Sequence, residues 1–260
     1  MTLVRLSVVA RYRSDRALIR CHYITETTPS SEATEPGAIL ADIARDERLE
    51  QAVERASMFG GRMRSLRGNQ VAQQYVFQWR ELFDIDAAAP EAASRLDRCV
   101  RTLLDLTVRA HLGTGANDFF IVHLVTSSFA LYMILHECGD ALPLAARLVA
   151  VKHYWAGFVL AYIVQHRKPI EPFVPSGEPH EWDSVLQQAQ ACDEEVRDFP
   201  SRVRHRAVRL TRSLVEQHVI KLAMCCWWFA THSLVDEDLC FQTARKVVTN
   251  IHTGNDYVFQ

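Results

Sequence analysis

The sequence has little that would attract a polyanion, because 29 lysines and arginines are balanced by 31 aspartates and glutamates, for a formal net charge of −2. Without a positive field, general nucleic-acid binding is not expected. The seven cysteines are odd in number and include no C-x-x-C pair. This pattern argues against a disulfide framework or a zinc ribbon and favours reduced intracellular thiols. The sequence also lacks G-x-G-x-x-G and P-loop motifs, so it gives no support for a Rossmann cofactor site or for nucleotide hydrolysis.

A long, uncharged apolar run is also missing. The run from Ile121 to Leu135 is shorter than the roughly 20 residues that a membrane helix needs, and residues 144–164 carry Arg147, Lys152 and His153. Charges at mid-membrane depth are costly, so both runs are predicted to be buried helices of a soluble protein. Arginines interrupt the N-terminal segment where a signal peptide would need an apolar stretch. The prediction is therefore a cytoplasmic protein with no membrane partner.

Helical periodicity recurs along the body of the chain, and no alternating strand pattern accompanies it. The fold class predicted is all-α, with one bundle-like, oxidoreductase-like domain over residues 37–260. Residues 1–36 are predicted to be irregular or disordered, since a Thr/Ser/Glu/Pro stretch closes them. The predicted helices cover residues 37–59 (ended by Gly60-Gly61), 71–83, 91–112, 118–135, 144–165, 181–199, 203–234 and 237–251.

The most apolar segment contains a single histidine, His123. Asn117 or Asp118 is a suitable N-cap for a helix there, and His123, Thr126 and Ser127 would share one face. A helix that is apolar nearly all round is expected to be buried, which would place His123 in the core. A core histidine bonded to a neighbouring carbonyl is the simpler interpretation of this residue.

A second candidate group is His218 with Lys221, which are three residues apart on a predicted helix and therefore close on one face. His232 is about 21 Å farther along the same axis and cannot bind the same metal ion as His218. The compact set is His218 and Lys221, to be joined in space by His123. A buried lysine would have to be neutral, paired or modified, for example as a carbamate that ligates metal. The alternative is that Lys221 pairs with an acidic neighbour and buries only its stem.

The arginine-rich run between residues 202 and 212 is predicted to be a solvated helix face rather than a binding site. Residues 196–212 also differ sharply in composition from both flanks. They are either a genuine insert or, as a hypothesis, a translated intron.

Several of these residues stand in a recognisable order. The segment from Asp118 to Ser128 resembles the D-F-F-hydrophobic-x-H-hydrophobic-V-T-S segment of the questin oxidase-like family. Residues 162–169 resemble that family's Y-x-x-x-G-R-P ending, Trp182 opens the next helix, and the segment from His218 to Lys221 resembles its D-E-H-V-x-K motif. The resemblance covers roughly residues 37–248.

The resemblance implies an oxidoreductase that opens the ring of an aromatic polyketide such as an anthraquinone. The reaction would be a Baeyer–Villiger-like oxygen insertion or an iron-assisted oxygenation, with NADPH as a cofactor and molecular oxygen and a small aromatic substrate as partners. It also implies that His123, His218 and Lys221 are the catalytic residues and the ligands of a non-haem iron. Family members are longer, with further histidines in an N-terminal half that this sequence lacks. The alternative expectation is therefore a truncated, inactive helical domain that at most binds a ligand or partner.

Overall fold

The computed structural model describes residues 35–53, 58–66, 68–114, 118–139, 141–165, 167–170, 173–197 and 206–252. Side chains are described throughout these ranges except at residues 192–197, 206–217 and 251–252. The predicted irregular segment lies outside the described residues up to residue 34, and so does part of the proposed insert at residues 196–212. The described residues form eleven helices and no strands, which confirms the all-α prediction.

The helices follow one another in a simple order along the chain. They are α1 (Pro36–Arg45), α2 (Glu47–Ala52), α3 (Phe59–Ser65), α4 (Gln70–Phe77), α5 (Arg80–Phe83), α6 (Ala92–Leu112), α7 (Phe119–Glu137), α8 (Leu144–Val164), α9 (Trp182–Arg197), α10 (Arg206–Thr231) and α11 (Glu237–His252).

The N-terminal third is more broken than predicted. The single helix expected over residues 37–59 is wrong, because Asp46 has extended backbone and its side chain accepts a hydrogen bond from the amide of Arg48, which starts α2 as a new helix. Gly60 and Gly61 do not end a helix but lie inside α3. The helix expected over residues 71–83 is interrupted at Trp79, where the backbone leaves the helical region.

Helices α6 and α7 stand between two hydrophobic cores. Leu103 and Leu124 pack into a first core with α1, α2, α4, α5 and α8. Leu104 and Val122 pack into a second core with α9, α10 and α11. Neighbouring residues of α6 thus face opposite cores, and so do neighbouring residues of α7. These two helices therefore set the relative positions of the helices that pack in the first core and those that pack in the second.

Helix α7 is less buried than its composition suggested. Its buried residues are Ile121, Val122, Leu124, Val125 and Ser128, and the prediction of a helix buried nearly all round is wrong. An exposed stripe runs along the remaining face through His123, Ser127, Ala130 and Ile134. By length and apolar content alone α7 and α8 could cross a membrane, although core helices of other proteins meet the same criteria.

Candidate functional site

The start of α7 is fixed by Asp118, one of the two N-caps that the sequence allowed. Its carboxylate accepts hydrogen bonds from the amides of Phe120 and Ile121 at 2.8 and 3.0 Å. The same oxygen accepts a bond from the side-chain amide of Gln165, just beyond the last residue of α8. Because α7 is thereby capped and tied to α8 one turn before His123, the position of that histidine along the helix is fixed.

His123 and His218 come together from α7 and α10. Their Nε2 atoms lie 3.1 Å apart, and their ring centroids are separated by 4.7 Å. His218 is 8% exposed, whereas His123 is exposed, so the prediction that His123 lies in the core is wrong. The ring of Phe119 packs against both imidazoles. The pair is therefore a buried histidine with an accessible one in front of it.

Hydrogen bonding assigns the protons of this pair. Nδ1 of His123 lies 2.6 Å from the carbonyl oxygen of Phe119, which can only accept, so His123 carries its proton on Nδ1. Neutral His123 then has a bare Nε2, and the bond between the two rings needs Nε2–H of His218 as donor. In this tautomer the lone pair on Nε2 of His123 points at Nε2–H of His218.

Lys221 is in a different situation from the two histidines. Its side chain is exposed, so the expectation of a buried lysine is wrong. Within the part of the chain that the structure describes, no group of three His, Cys, Asp or Glu side chains is placed to hold a metal ion. The structure therefore brings together His123 and His218, and the role of Lys221 stays a prediction.

The spacing of the pair fits two ligands of one metal ion. Their Nε2 atoms are 3.1 Å apart, so both could lie about 2.1 Å from one ion if bonds to the metal replaced the hydrogen bond between them. The bond from Nδ1 of His123 to the carbonyl of Phe119 is also the usual outer partner of a metal-bound imidazole. Imidazole suits iron among several transition metals, so His123 and His218 would be the residues that hold it.

An open groove of about 540 Å³ runs beside His123. None of the side chains that line it is an acid, a lysine or an arginine, and the rings of Phe59 and Phe120 stack at 4.0 Å along it. Sequence reasoning missed the contribution of α3, because Phe59 was assigned to a helix end and gave no other signal. The groove is lined by Phe59, Met63, Phe119, Phe120, His123, Leu124, Thr126, Ser127, Gly157 and Ala161.

The hydroxyl groups near His123 are engaged in structural bonds. Ser127 donates to the carbonyls of His123 and Leu124, and Tyr154 donates to that of Leu124 at 2.5 Å. Burial also raises the pKa of Tyr154 well above its usual range. The proton of Ser127 is therefore held by backbone carbonyls, and Tyr154 keeps its proton at ordinary pH.

Sequence reasoning also missed a second buried histidine, His111, in the last turn of α6. Neither ring nitrogen has a hydrogen-bond partner among the described residues. Burial, followed by the charge of Lys246, lowers the pKa of His111 to about 3, so the ring is neutral. Its spacing from Leu104 and Val108 places it on the inward face of α6, and this pattern could have identified it as a core residue.

Comparison with known proteins gives one match. The questin oxidase-like family matches residues 8–214, which is most of the chain. No curated protein and no solved structure matches. The match supports an oxidoreductase of the general kind found in that family.

Proposed function

The chain belongs to the questin oxidase-like family, and on that premise we propose that it opens a ring of an aromatic polyketide, such as an anthraquinone, by Baeyer–Villiger-like oxygen insertion. The observation that supports this proposal is the His123–His218 pair at the wall of an uncharged groove with aromatic side chains. A groove of this size and lining suits a flat apolar ligand.

The reaction balances with molecular oxygen and NADPH. One oxygen atom enters between the substrate's carbonyl carbon and the adjacent ring carbon. The other leaves as water, with two electrons and one proton from NADPH and one further proton from solution. Hydrolysis of the ester formed then opens the ring. Iron, when bound, would activate dioxygen. His123 and His218 would hold the iron, and a carbamate of Lys221 would be its third ligand. The family resemblance implies this set of residues.

The groove binds and orients the substrate. The stacked rings of Phe59 and Phe120 offer an aromatic surface, and the apolar side chains of Met63 and Leu124 exclude water from the same space. His123 faces this space, so a hydroxyl group on the edge of the substrate can approach it.

The histidine pair can hold one added proton. Protonation gives an imidazolium and an imidazole that share the hydrogen bond between the two Nε2 atoms, and a charge-assisted bond of this kind is stronger than the neutral one. A substrate hydroxyl that gives its proton to the pair becomes a phenolate, and the electron-rich ring carbon that results migrates more readily from the carbonyl carbon to the inserted oxygen. His123 would accept the proton on Nε2 and donate it to Nε2 of His218, whose own proton moves to Nδ1, so that His218 stabilises the charge on His123 through this bond.

A binding module without catalysis is the second candidate. One observation favours it. In the described part of the structure only His123 and His218, of the three predicted site residues, are seen to lie together, and Lys221 is exposed. In that case the groove would hold an aromatic ligand without turnover.

Oxygen uptake tests the proposal directly. The protein is mixed with a hydroxyanthraquinone, NADPH and ferrous iron, and wild type is compared with His123→Ala and His232→Ala. His232 is a matched control, because it is exposed just past the end of α10. Its Nδ1 donates to the carbonyl of Trp228 four residues earlier, as Nδ1 of His123 donates to the carbonyl of Phe119. We expect uptake by wild type and His232→Ala and a rate at least about 100-fold lower for His123→Ala. Ligand binding without uptake would favour the binding module.

A further inference from the structure

Gly157 lies in the interior of α8, where glycine is a poor helix former. Its backbone is not in the left-handed region that would favour glycine. A Cβ atom placed on it meets no atom within 4 Å. Neither backbone conformation nor packing in the described structure therefore requires glycine at this position.

The empty space next to Gly157 belongs to the groove. Gly157 and Ala161, one turn apart on α8, form one side of the groove, and His123 on α7 lies on its lining as well. Because nothing occupies the space where a side chain of residue 157 would begin, any larger residue there would take volume from the groove.

We propose that Gly157 is a specificity-determining residue, whose missing side chain leaves room beside His123 for a flat ligand of several fused rings. This inference rests on the proposed function and specifies the substrate's shape. The lining carries no acidic, lysine or arginine side chain, so the body of the ligand is uncharged, and the stacked Phe59 and Phe120 rings favour an aromatic one. A single-ring compound needs less of the groove and depends less on this space.

Substitution by valine tests the idea without breaking the helix. Valine forms helices better than glycine does, so Gly157→Val should fold. Its branched side chain would enter the groove and obstruct a three-ring ligand, and overpacking of this size typically weakens an interaction at least about tenfold. Gly60→Val is the matched control, because Gly60 is an exposed glycine inside α3 and is not part of the groove lining.

Binding is measured by equilibrium dialysis with two probes, dihydroxyanthraquinone and phenol, after circular dichroism has shown that each variant is folded. We expect Gly157→Val to bind dihydroxyanthraquinone at least about tenfold more weakly than wild type. Phenol binding should be unchanged, and Gly60→Val should behave as wild type with both probes.

Two results would overturn the inference. One is equal affinity of Gly157→Val and wild type for dihydroxyanthraquinone, and the other is no binding of this probe by wild type. The readout does not require turnover, so it is separate from the test of function. Oxygen uptake with unchanged Gly157→Val affinity would overturn the role of Gly157 alone. If Gly157→Val loses affinity for dihydroxyanthraquinone alone, and neither wild type nor any variant takes up oxygen, the proposed oxygenase activity would be overturned. Gly157 would then remain a determinant of binding.

Discussion

The Nε2 atoms of His123 and His218 lie 3.1 Å apart, although 95 positions separate the two residues in the chain. The packing of α7 against α10 holds them there. Val122 and Val219, which adjoin the two histidines in sequence, are both fully buried in the second core. Since a close-packed core resists displacement, the pair is a fixed feature of the fold rather than a chance contact of two side chains.

The two histidines should act as a unit in catalysis. His123→Ala and His218→Ala are each expected to lower kcat/KM for oxygenation about 100-fold or more. The double variant should be little worse than either single one, because the proton-sharing bond is already lost in both. Steady-state kinetics of the four proteins checks this. Losses that multiply in the double variant would show that the residues act independently.

Iron content should depend on the same pair. The proteins are produced with added iron, and their iron content is measured by elemental analysis. We expect the iron content of His123→Ala and of His218→Ala to be at least about tenfold lower than that of wild type, because each variant removes one of two imidazole ligands. His232→Ala should retain the wild-type content. Lys221→Met should also lose iron if the lysine is the third ligand. Equal iron in wild type and His123→Ala would contradict this assignment of the ligands.

Acid should destabilise the protein through His111. Its pKa of about 3 in the folded protein lies below the ordinary value of 6.5, so the unfolded chain binds the proton more readily. The stability associated with the neutral ring is complete above about pH 6.5 and is lost as the pH falls toward 3. Between pH 7 and pH 5 this amounts to about 2 kcal/mol of unfolding free energy.

His111→Leu isolates this contribution, since leucine cannot take up a proton. Urea unfolding at pH 7 and pH 5 should show a smaller loss of stability on acidification for His111→Leu than for wild type. Identical losses in the two proteins would show that other groups cause the acid sensitivity.

Gly157, inside α8, and Gly139, just past the end of α7, should respond in opposite ways to alanine. Gly157→Ala is expected to stabilise the fold by about 0.5–1 kcal/mol, because the new methyl group meets open space and alanine favours the helix. Gly139→Ala is expected to destabilise it by about 1–3 kcal/mol, because a Cβ there would lie 2.8 Å from the carbonyl oxygen of Leu135. Thermal unfolding of both variants tests the pair. Stabilisation by Gly139→Ala would show that the end of α7 adjusts freely.

Much of the fold follows from local pattern. The apolar spacing of α6, the Asp118 cap of α7 and the prolines that flank α8 all act within a few residues, and the helices observed there begin and end within two residues of the prediction. The breaks at Asp46 and Trp79 were missed because they depend on a side-chain cap and on packing of distant residues.

The candidate site was only partly predictable. The pairing of His123 with His218 was expected from the candidate residues and from the family resemblance, but the exposure of His123 depends on which face of α7 its neighbours leave open. An almost uniformly apolar helix does not show that face in its sequence. The groove was missed because three separate helices form it, and the empty space at Gly157 becomes evident only when they are packed together.

The most direct test of the account follows the fate of dioxygen. A hydroxyanthraquinone is incubated with NADPH, ferrous iron and heavy-isotope dioxygen, and the product of wild type, His123→Ala and His232→Ala is analysed by mass spectrometry. The account predicts a ring-opened product with one labelled oxygen atom from wild type and His232→Ala, and none from His123→Ala. Equal labelling with His123→Ala, or no labelled product from wild type although the anthraquinone binds, would contradict it.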